Sequence, residues 1–273
     1  MKSVQLNLCR IVCLLLAVFF IAHRSLAAEQ LVVAVSPQVR EPIAVIAKEF
    51  ERRNPDVTMQ LHIALAFDLR QTIASIQNAP PRLLGQSPIH LLAPGDDELL
   101  TRMAQKKYVV PESVTTYVTV PLVLVATESL VDVPSSFAAL GSAGSSWRVA
   151  VADPATTSLG RETTLLFESM GLAQVLRTRI DVTQDELDVV DHMLNGLSHV
   201  GVMTGPQAHR LQPRVRIVAT ASTNGYQPIR HSLAMLESCP RRVLCESFLA
   251  SIGTPEVQAA LAGLGYGRPD AAH

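Results

Sequence analysis

Small hydroxyl residues occur at two junctions between a predicted strand and the helix that follows it. Ser36 directly follows a strand, and residues 153–160, Asp-Pro-Ala-Thr-Thr-Ser-Leu-Gly, lead from a strand into a helix. Backbone N–H groups at helix starts, assisted by serine and threonine hydroxyls, bind anions. Ordinary helix N-caps use the same residue types, so each junction has two interpretations. An anion site is favoured if several junctions meet in one cleft, because open α/β sheets bind ligands beyond the carboxyl ends of their strands.

The sequence carries none of the common enzyme motifs. It has no Gly-x-Ser-x-Gly elbow, Gly-x-x-x-x-Gly-Lys loop, Gly-x-Gly-x-x-Gly turn or His-Glu-x-x-His pair. The histidines after residue 27 never stand at a ligand spacing from a second histidine or a cysteine: His62, His90, His192, His199, His209, His231 and His273. The acids at 96–98 begin a predicted helix, where the helix dipole explains them. We therefore expect no catalytic residue, metal or cofactor, and an enzyme would need a cluster formed only in three dimensions.

Residues 1–27 are predicted to be a cleavable signal peptide. Two basic residues flank the start of an uninterrupted apolar run over 11–22, which is shorter than a spanning helix needs. Small residues favour cleavage after Ala27 or Ala28, and a retained N-terminal anchor is the alternative. The remaining chain has 20 basic and 24 acidic residues, a net charge of −4, and no basic run suited to nucleic acid. The sequence thus predicts an exported, periplasmic protein.

Two cysteines, Cys239 and Cys245, follow the predicted signal peptide. In an oxidising compartment such a pair predicts one structural disulfide. Pro240 favours the turn that would bring the two Cα atoms within bridging distance. A metal or redox pair is the alternative, which the lack of a Cys-x-x-Cys motif and of an adjacent histidine disfavours.

Short apolar runs alternate with helical periodicity from Leu31 onward. Strands are predicted over 31–35, 57–63, 89–93, 116–126 with an interruption at Pro121, 147–152, 199–204, 215–219 and 229–236. Helices are predicted near 43–53, 69–76, 98–105, 160–170, 185–196, 245–252 and 255–264. This alternation is typical of parallel strands joined by right-handed crossovers, so the predicted fold class is α/β. The length suits two units of about 100 residues each.

A set of short motifs runs through most of the chain after residue 27. In order they are Ala34-Val-Ser36, Leu69-Arg-Gln71, Val-Ala-Val-Ala-Asp153-Pro154 with Gly160, Val200-Gly-Val-Met-Thr-Gly205, Ile217-Val-Ala-Thr220 and Gly263-x-Gly265-Tyr266-Gly267. In these motifs the chain resembles the periplasmic molybdate-binding proteins of ABC transporters. The resemblance implies a two-domain type 2 periplasmic-binding fold with a hinge of two crossing segments. Domain I would comprise 28–117 plus 226–273 and domain II 118–225, with crossings near 116–120 and 221–231.

The resemblance also implies a ligand-binding set. Its members are Ser36, Ala66, Phe67, Ser158, Leu159, Gly160, Arg161, Leu187 and Thr204. Ser36 and Thr204 would offer hydroxyls, Thr204 standing where the family has tyrosine. Backbone N–H groups would come from the loop that ends at Gly160 and from Leu187.

The loop at 64–68, which departs from the family, and Arg161 both bear on the ligand class. Residues 64–68 replace a serine-bearing loop and contain no hydroxyl, so Leu65 and Phe67 favour a less polar or organic ligand. Arg161 either supplies a fixed charge to a carboxylate or phosphate or is a solvent-facing residue of the first helical turn.

These expectations give a leading function and an alternative. The leading hypothesis is an exported, monomeric solute-binding protein of an ABC-type uptake system. It would enclose a small anion, either a molybdate-like oxyanion or a small organic anion, and deliver it to an inner-membrane permease. The alternative is a periplasmic accessory or sensory protein that keeps the binding fold but has lost oxyanion transport. An aromatic content of 4% disfavours sugars, which need stacking faces.

Overall fold

The computed structural model describes residues 29–78, 89–95, 97–222 and 226–269. The predicted signal peptide, residues 1–27, and the first of the three acids at 96–98 lie outside the described residues. No helix within the described ranges has both the length and the apolar character needed to cross a membrane.

The described residues form two five-stranded sheets. The strands are β1 (Glu29–Val35), β2 (Val57–Ile63), β3 (Leu91–Ala93), β4 (Thr115–Val120), β5 (Leu122–Thr127), β6 (Val149–Ala152), β7 (Ile180–Thr183), β8 (Val200–Thr204), β9 (Val215–Thr220) and β10 (Ile229–Met235). The first sheet has the order β2-β1-β3-β10-β4 and the second β7-β6-β8-β5-β9. Three neighbouring strands in each sheet are parallel, and β10 or β5 joins them antiparallel. The predicted α/β class is confirmed, with mixed sheets.

Nine α-helices lie within the described residues, and seven of them match helices that the sequence periodicity predicts. They are α1 (Arg40–Arg53), α2 (Ala66–Gln77), α3 (Asp97–Gln105), α4 (Ser158–Ser169), α5 (Ala173–Leu176), α6 (Glu186–Leu194), α7 (Gly205–Arg210), α8 (Arg242–Ser251) and α9 (Pro255–Ala262). In α1, Ile43, Ile46 and Phe50 recur at helical spacing and are all buried. Helices α8 and α9 pack beside α1, so the C-terminal part of the chain completes the first core.

Two apolar cores flank the first sheet. Leu31, Val33 and Val35 of β1 enter one core, and Val32 and Ala34 enter the other. Successive side chains of a strand point to opposite faces, so β1 is buried on both sides. This explains its continuous apolar run, since a strand covered on both faces has no polar side. Two further cores flank the second sheet in the same way.

The chain passes between the sheets twice. The outward crossing is Pro121, because β4 ends and β5 begins on either side of it. The return lies between β9 and β10, where the Tyr226 hydroxyl accepts a hydrogen bond from the N–H of Leu122 at 3.1 Å. Gly267, near the C-terminus, forms a β-bridge with Thr119. Both crossings and the C-terminal segment are therefore neighbours in space.

Strand β7 and the short helices α5 and α7 were not predicted from the sequence. Strand β7 lies at the edge of the second sheet and is only half buried, so its Ile-Asp-Val-Thr sequence lacks a continuous apolar run. Helix α7 begins with Gly205-Pro206, a pair typical of turns. Proline is tolerated in a first helical turn because its missing N–H would be unpaired there in any case, and Thr204 caps the helix with its side chain.

Cys239 and Cys245 are buried free thiols in this structure, so the predicted disulfide is not formed in it. The turn expected between them is present, because the two thiols lie within hydrogen-bonding reach. Their hydrogen bond lowers the pKa of Cys239 and, together with burial, raises the pKa of Cys245. The structure therefore holds the pair in its reduced, hydrogen-bonded form.

Candidate functional site

The first sheet presents the ends of three parallel strands along one edge. Val35, the last residue of β1, pairs with Ile63 of β2 and with Ala93 of β3, so the loops after these strands start side by side. Ser36 follows β1 and is held in place by its N–H, which donates to the Ala93 carbonyl at 3.0 Å. We call this region the first edge. It contains the predicted residues Ser36, Ala66 and Phe67.

Ser36 is the buried polar residue of the first edge. It is 1% exposed, and its hydroxyl oxygen has no hydrogen-bond partner among the described residues. A buried hydroxyl without a partner costs free energy. In a protein that binds a small molecule, such an unsatisfied group marks a position where a ligand can complete the hydrogen bonding.

Apolar side chains stand on the same edge. Helix α2 begins at Ala66, and Leu65 before it offers no side-chain cap. Leu65 and Phe67 are 64% and 61% exposed, which is unusual for such residues. The Arg70 guanidinium carbon lies 5.1 Å from the centre of the Phe67 ring, within cation–π range. The first edge therefore combines one buried hydroxyl with an apolar rim.

The second sheet has a corresponding edge at the ends of β6, β7 and β8. Ala152 of β6 pairs with Thr183 of β7, and β8 runs parallel on the other side of β6. The predicted residues that follow these three strands are therefore brought together: Ser158, Leu159 and Gly160 after β6, Leu187 after β7, and Thr204 at the end of β8. We call this region the second edge.

Three of the N–H groups on the second edge already have acceptors. The Gly160 N–H donates to the Thr157 hydroxyl at 2.9 Å, and the Leu187 N–H donates to Oδ1 of Asp185 at 2.8 Å. The Thr204 N–H donates to Oε1 of Glu186 at 2.5 Å. Two of these acceptors are carboxylates. Of the predicted backbone donors, the N–H groups of Gly160 and Leu187 are thus occupied by protein oxygens.

Arg161 lies in the exposed first turn of α4. Its guanidinium donates to the Ser158 hydroxyl at 2.8 Å. Arg161 therefore binds another predicted site residue in its own helix, and the position agrees with the solvent-facing interpretation.

Glu186 is the residue of the second edge that sequence reasoning missed. It begins α6, and its carboxylate reaches past the end of β6 to Thr204 at the end of β8. Burial raises the pKa of the Glu186 carboxyl, and hydrogen bonds from the hydroxyl and N–H of Thr204 oppose that shift. The sequence signal, an acid in a first helical turn, is explained equally well by the helix dipole. Where the side chain points depends on packing between distant strands.

An ion pair joins the two edges. Arg210, at the end of α7, binds Oε2 of Glu41 in the first turn of α1 through Nη1 at 2.9 Å. Arg210 also hydrogen bonds to Tyr266. Glu41 follows Ser36 closely in the chain, and Arg210 follows Thr204, so the ion pair links the regions that follow the two edges.

Other features of the described residues lie away from the two edges. A groove of about 460 Å³ runs between α3 and the β4–β10 pair of the first sheet. It contains none of the predicted ligand-binding residues. Within the described ranges, no three His, Cys, Asp or Glu side chains are grouped so that they could hold a metal ion.

Sequence comparison identifies one family over most of the chain. The family model described as bacterial extracellular solute-binding protein matches residues 31–267. No curated protein matches the chain in sequence.

Solved structures are similar at low sequence identity. The substrate-binding domain of a candidate molybdenum ABC transporter from Clostridium difficile has a TM-score of 0.75 and 15% identity, covering 88% of this chain and 99% of that one. The periplasmic molybdate-binding protein of Azotobacter vinelandii has a TM-score of 0.56 and 19% identity, covering 88% and 100%. Iron-bound HitA from Pseudomonas aeruginosa has a TM-score of 0.56 and 14% identity, covering 90% of each chain. These likenesses confirm the predicted two-domain periplasmic-binding fold.

Proposed function

Because the chain belongs to the family of bacterial extracellular solute-binding proteins, we propose that it encloses a small solute in the cleft between its two edges and delivers it to an ABC permease. The observation that carries this proposal is the pairing of the edges through Glu41 and Arg210, with the unsatisfied hydroxyl of Ser36 on one side. Closure of two domains around a ligand is the usual action of this fold. The protein binds its solute without transforming it.

The proposed location is the periplasm, where a monomer would circulate between solute and permease. The family's extracellular character and the predicted signal peptide, residues 1–27, support export. An inner-membrane permease is the partner that such a binding protein requires.

The proposed ligand-binding set is the one that the resemblance implies. The residues are Ser36, Ala66, Phe67, Ser158, Leu159, Gly160, Arg161, Leu187 and Thr204. Their common position beyond the carboxyl ends of parallel strands supports the assignment. A small anion is the ligand class that the sequence favours, and the molybdate-binding proteins among the similar structures agree with it. The occupied N–H groups of the second edge weigh against it.

Ligand binding can be tested on the native exported protein. Mass spectrometry of the denatured protein would identify a co-purifying small molecule. Thermal unfolding would then be followed with molybdate, tungstate, sulfate, phosphate, small carboxylates and small amines. A ligand at 100 times its Kd adds about 2.7 kcal/mol to the free energy of unfolding. An empty protein that none of these compounds stabilises would contradict solute binding.

One observation favours a second candidate function. In an anion-binding member, the donors on the second edge should face the ligand, but here Asp185 and Glu186 occupy two of them. Such an arrangement suits an accessory or sensory protein that has kept the fold but no longer carries an oxyanion. This function would be favoured if no compound in the ligand screen stabilised the protein and if the protein bound a membrane protein other than a permease.

We further propose that Cys239 and Cys245 form a disulfide after export, when the oxidant of the compartment accepts two electrons from the pair. Their hydrogen bond supports this, because it brings the two sulfurs together. The oxidised exported protein should be two hydrogens lighter than the reduced one. Its free energy of unfolding should also be about 2 kcal/mol higher than that of a Cys239→Ser/Cys245→Ser variant. This is the stabilisation expected when a disulfide closes a seven-residue loop. Reduced wild-type protein is the control and should match the variant. Two alkylatable thiols in the native exported protein would contradict the proposal.

A further inference from the structure

The second edge offers oxygen acceptors where an anion would need donors. Oε1 of Glu186 is held by the N–H of Thr204, and Oδ1 of Asp185 is held by the N–H groups of Leu187 and Asp188. The Thr204 hydroxyl also donates to the Glu186 carboxylate. A carboxylate has about four lone-pair sites, so acceptor capacity remains on both side chains. A fixed carboxylate with acceptor capacity left accepts hydrogen bonds from a cationic group and repels an anion.

The charges around Glu186 do not reverse this preference. Asp185 adds a second negative charge beside it, and Arg210 is the positive group that acts on it. Arg210 is already paired with Glu41 at 2.9 Å. These four side chains thus comprise three carboxylates and one guanidinium, so the groups nearest Glu186 carry more negative than positive charge.

An independent observation on the first edge also points to a ligand. Ser36 is fully buried, and its hydroxyl has no partner among the described residues. The loop after β2 carries no hydroxyl but exposes Leu65 and Phe67, and Leu187 on the second edge is 58% exposed. Apolar side chains on both edges suit a carbon skeleton better than a bare oxyanion.

We propose that Glu186 recognises a protonated amine, so that the solute is a small organic cation or another amine-bearing molecule. The ammonium group would bind the Glu186 carboxylate, Ser36 would complete one further hydrogen bond, and the exposed apolar residues would cover the carbon atoms. This inference rests on the proposed solute binding and specifies the ligand class. The group proposed to bind at the second edge is therefore a cation and not an anion.

The test is the Glu186→Gln variant, measured by titration calorimetry with the full exported chain. The amine probes are putrescine, ethanolamine, choline and lysine, and the anion probes are molybdate, sulfate and succinate. Glutamine can still accept the N–H of Thr204, so the variant should fold, and circular dichroism checks this. We expect an amine to bind the wild type and to bind the variant about 10- to 150-fold more weakly, the range for a hydrogen bond to a charged group. Glu186→Asp, which keeps the charge, should recover part of the affinity.

Glu168→Gln is the matched control, because it removes the same charge from an exposed position in the last turn of α4. It should leave amine affinity unchanged. If an anion binds the wild type and binds Glu186→Gln more tightly, the inference is overturned while solute binding stands. Equal amine affinity in the wild type and Glu186→Gln also overturns it. If no probe binds and no molecule co-purifies, the proposed function fails as well.

Discussion

Replacing Gly160 with alanine should lower the free energy of unfolding by about 3 kcal/mol, a cost at the upper end of overpacking. A Cβ at this position would lie 2.3 Å from the carbonyl oxygen of Ala152 and 2.6 Å from backbone atoms of Asp153 and Pro154. These are main-chain atoms at the end of β6, so no flexible side chain can move aside. Alanine is the better helix former by about 1 kcal/mol, so the strain must exceed the measured net loss. Urea unfolding followed by circular dichroism measures it.

Gly253→Ala is the control for that experiment. Its Cβ would meet no atom within 4 Å, and its backbone does not require a positive φ. We expect this variant to stay within about 0.5 kcal/mol of the wild type. Because Gly160 lies in the first turn of α4 on the second edge, Gly160→Ala should also weaken ligand binding. A Gly160→Ala protein as stable as Gly253→Ala would show that α4 does not rest on β6 as closely as described.

Local sequence patterns encode some parts of this fold and not others. The continuous apolar run of β1 and the spacing of Ile43, Ile46 and Phe50 in α1 are decided by burial within each element. Such elements could be predicted because the hydrophobic effect acts on each of them directly. The edge strand β7 is half solvated, so burial leaves only a weak pattern in its sequence.

Strand pairing depends on contacts that no local pattern contains. The apolar run of β10 predicts a strand, but its antiparallel position between β3 and β4 follows from packing across most of the chain. The predicted alternation of strands and helices favoured parallel pairs alone. The family resemblance supplied the two-domain arrangement, which composition and periodicity do not.

The residues of the candidate site also differ in whether a local sequence pattern reveals them. Ser36 could be singled out because a small hydroxyl residue directly after a buried strand is a recognisable pattern. Glu186 could not, because an acid at a helix start has a local explanation and its contact with Thr204 joins two different strand ends. Arg210 was missed for a similar reason, since its partner Glu41 belongs to the other sheet. The ligand class therefore depends on side chains whose direction is set by tertiary packing.

The C-terminal part of the chain contributes Phe248 to the first core. Substituting this residue measures how much that part of the chain stabilises the core. Its ring meets that of Phe50 edge to face, with centroids 5.3 Å apart and planes at 87°. Phe248→Ala should lower the free energy of unfolding by about 4 kcal/mol, because it removes a fully buried aromatic and leaves a cavity. Val243→Ala, at an 81% exposed position of the same helix, should have little effect.

Two probes can assign that loss to the first sheet. Trp147, the one tryptophan in the sequence, packs against a core of the second sheet, so its fluorescence follows the second sheet alone. If the two sheets unfold separately, Phe248→Ala should shift the circular dichroism transition and leave the tryptophan transition in place. If the sheets unfold together, both transitions should shift equally. A loss below about 1 kcal/mol in either case would mean that α8 adds little to the core, since a buried phenylalanine replaced by alanine costs far more.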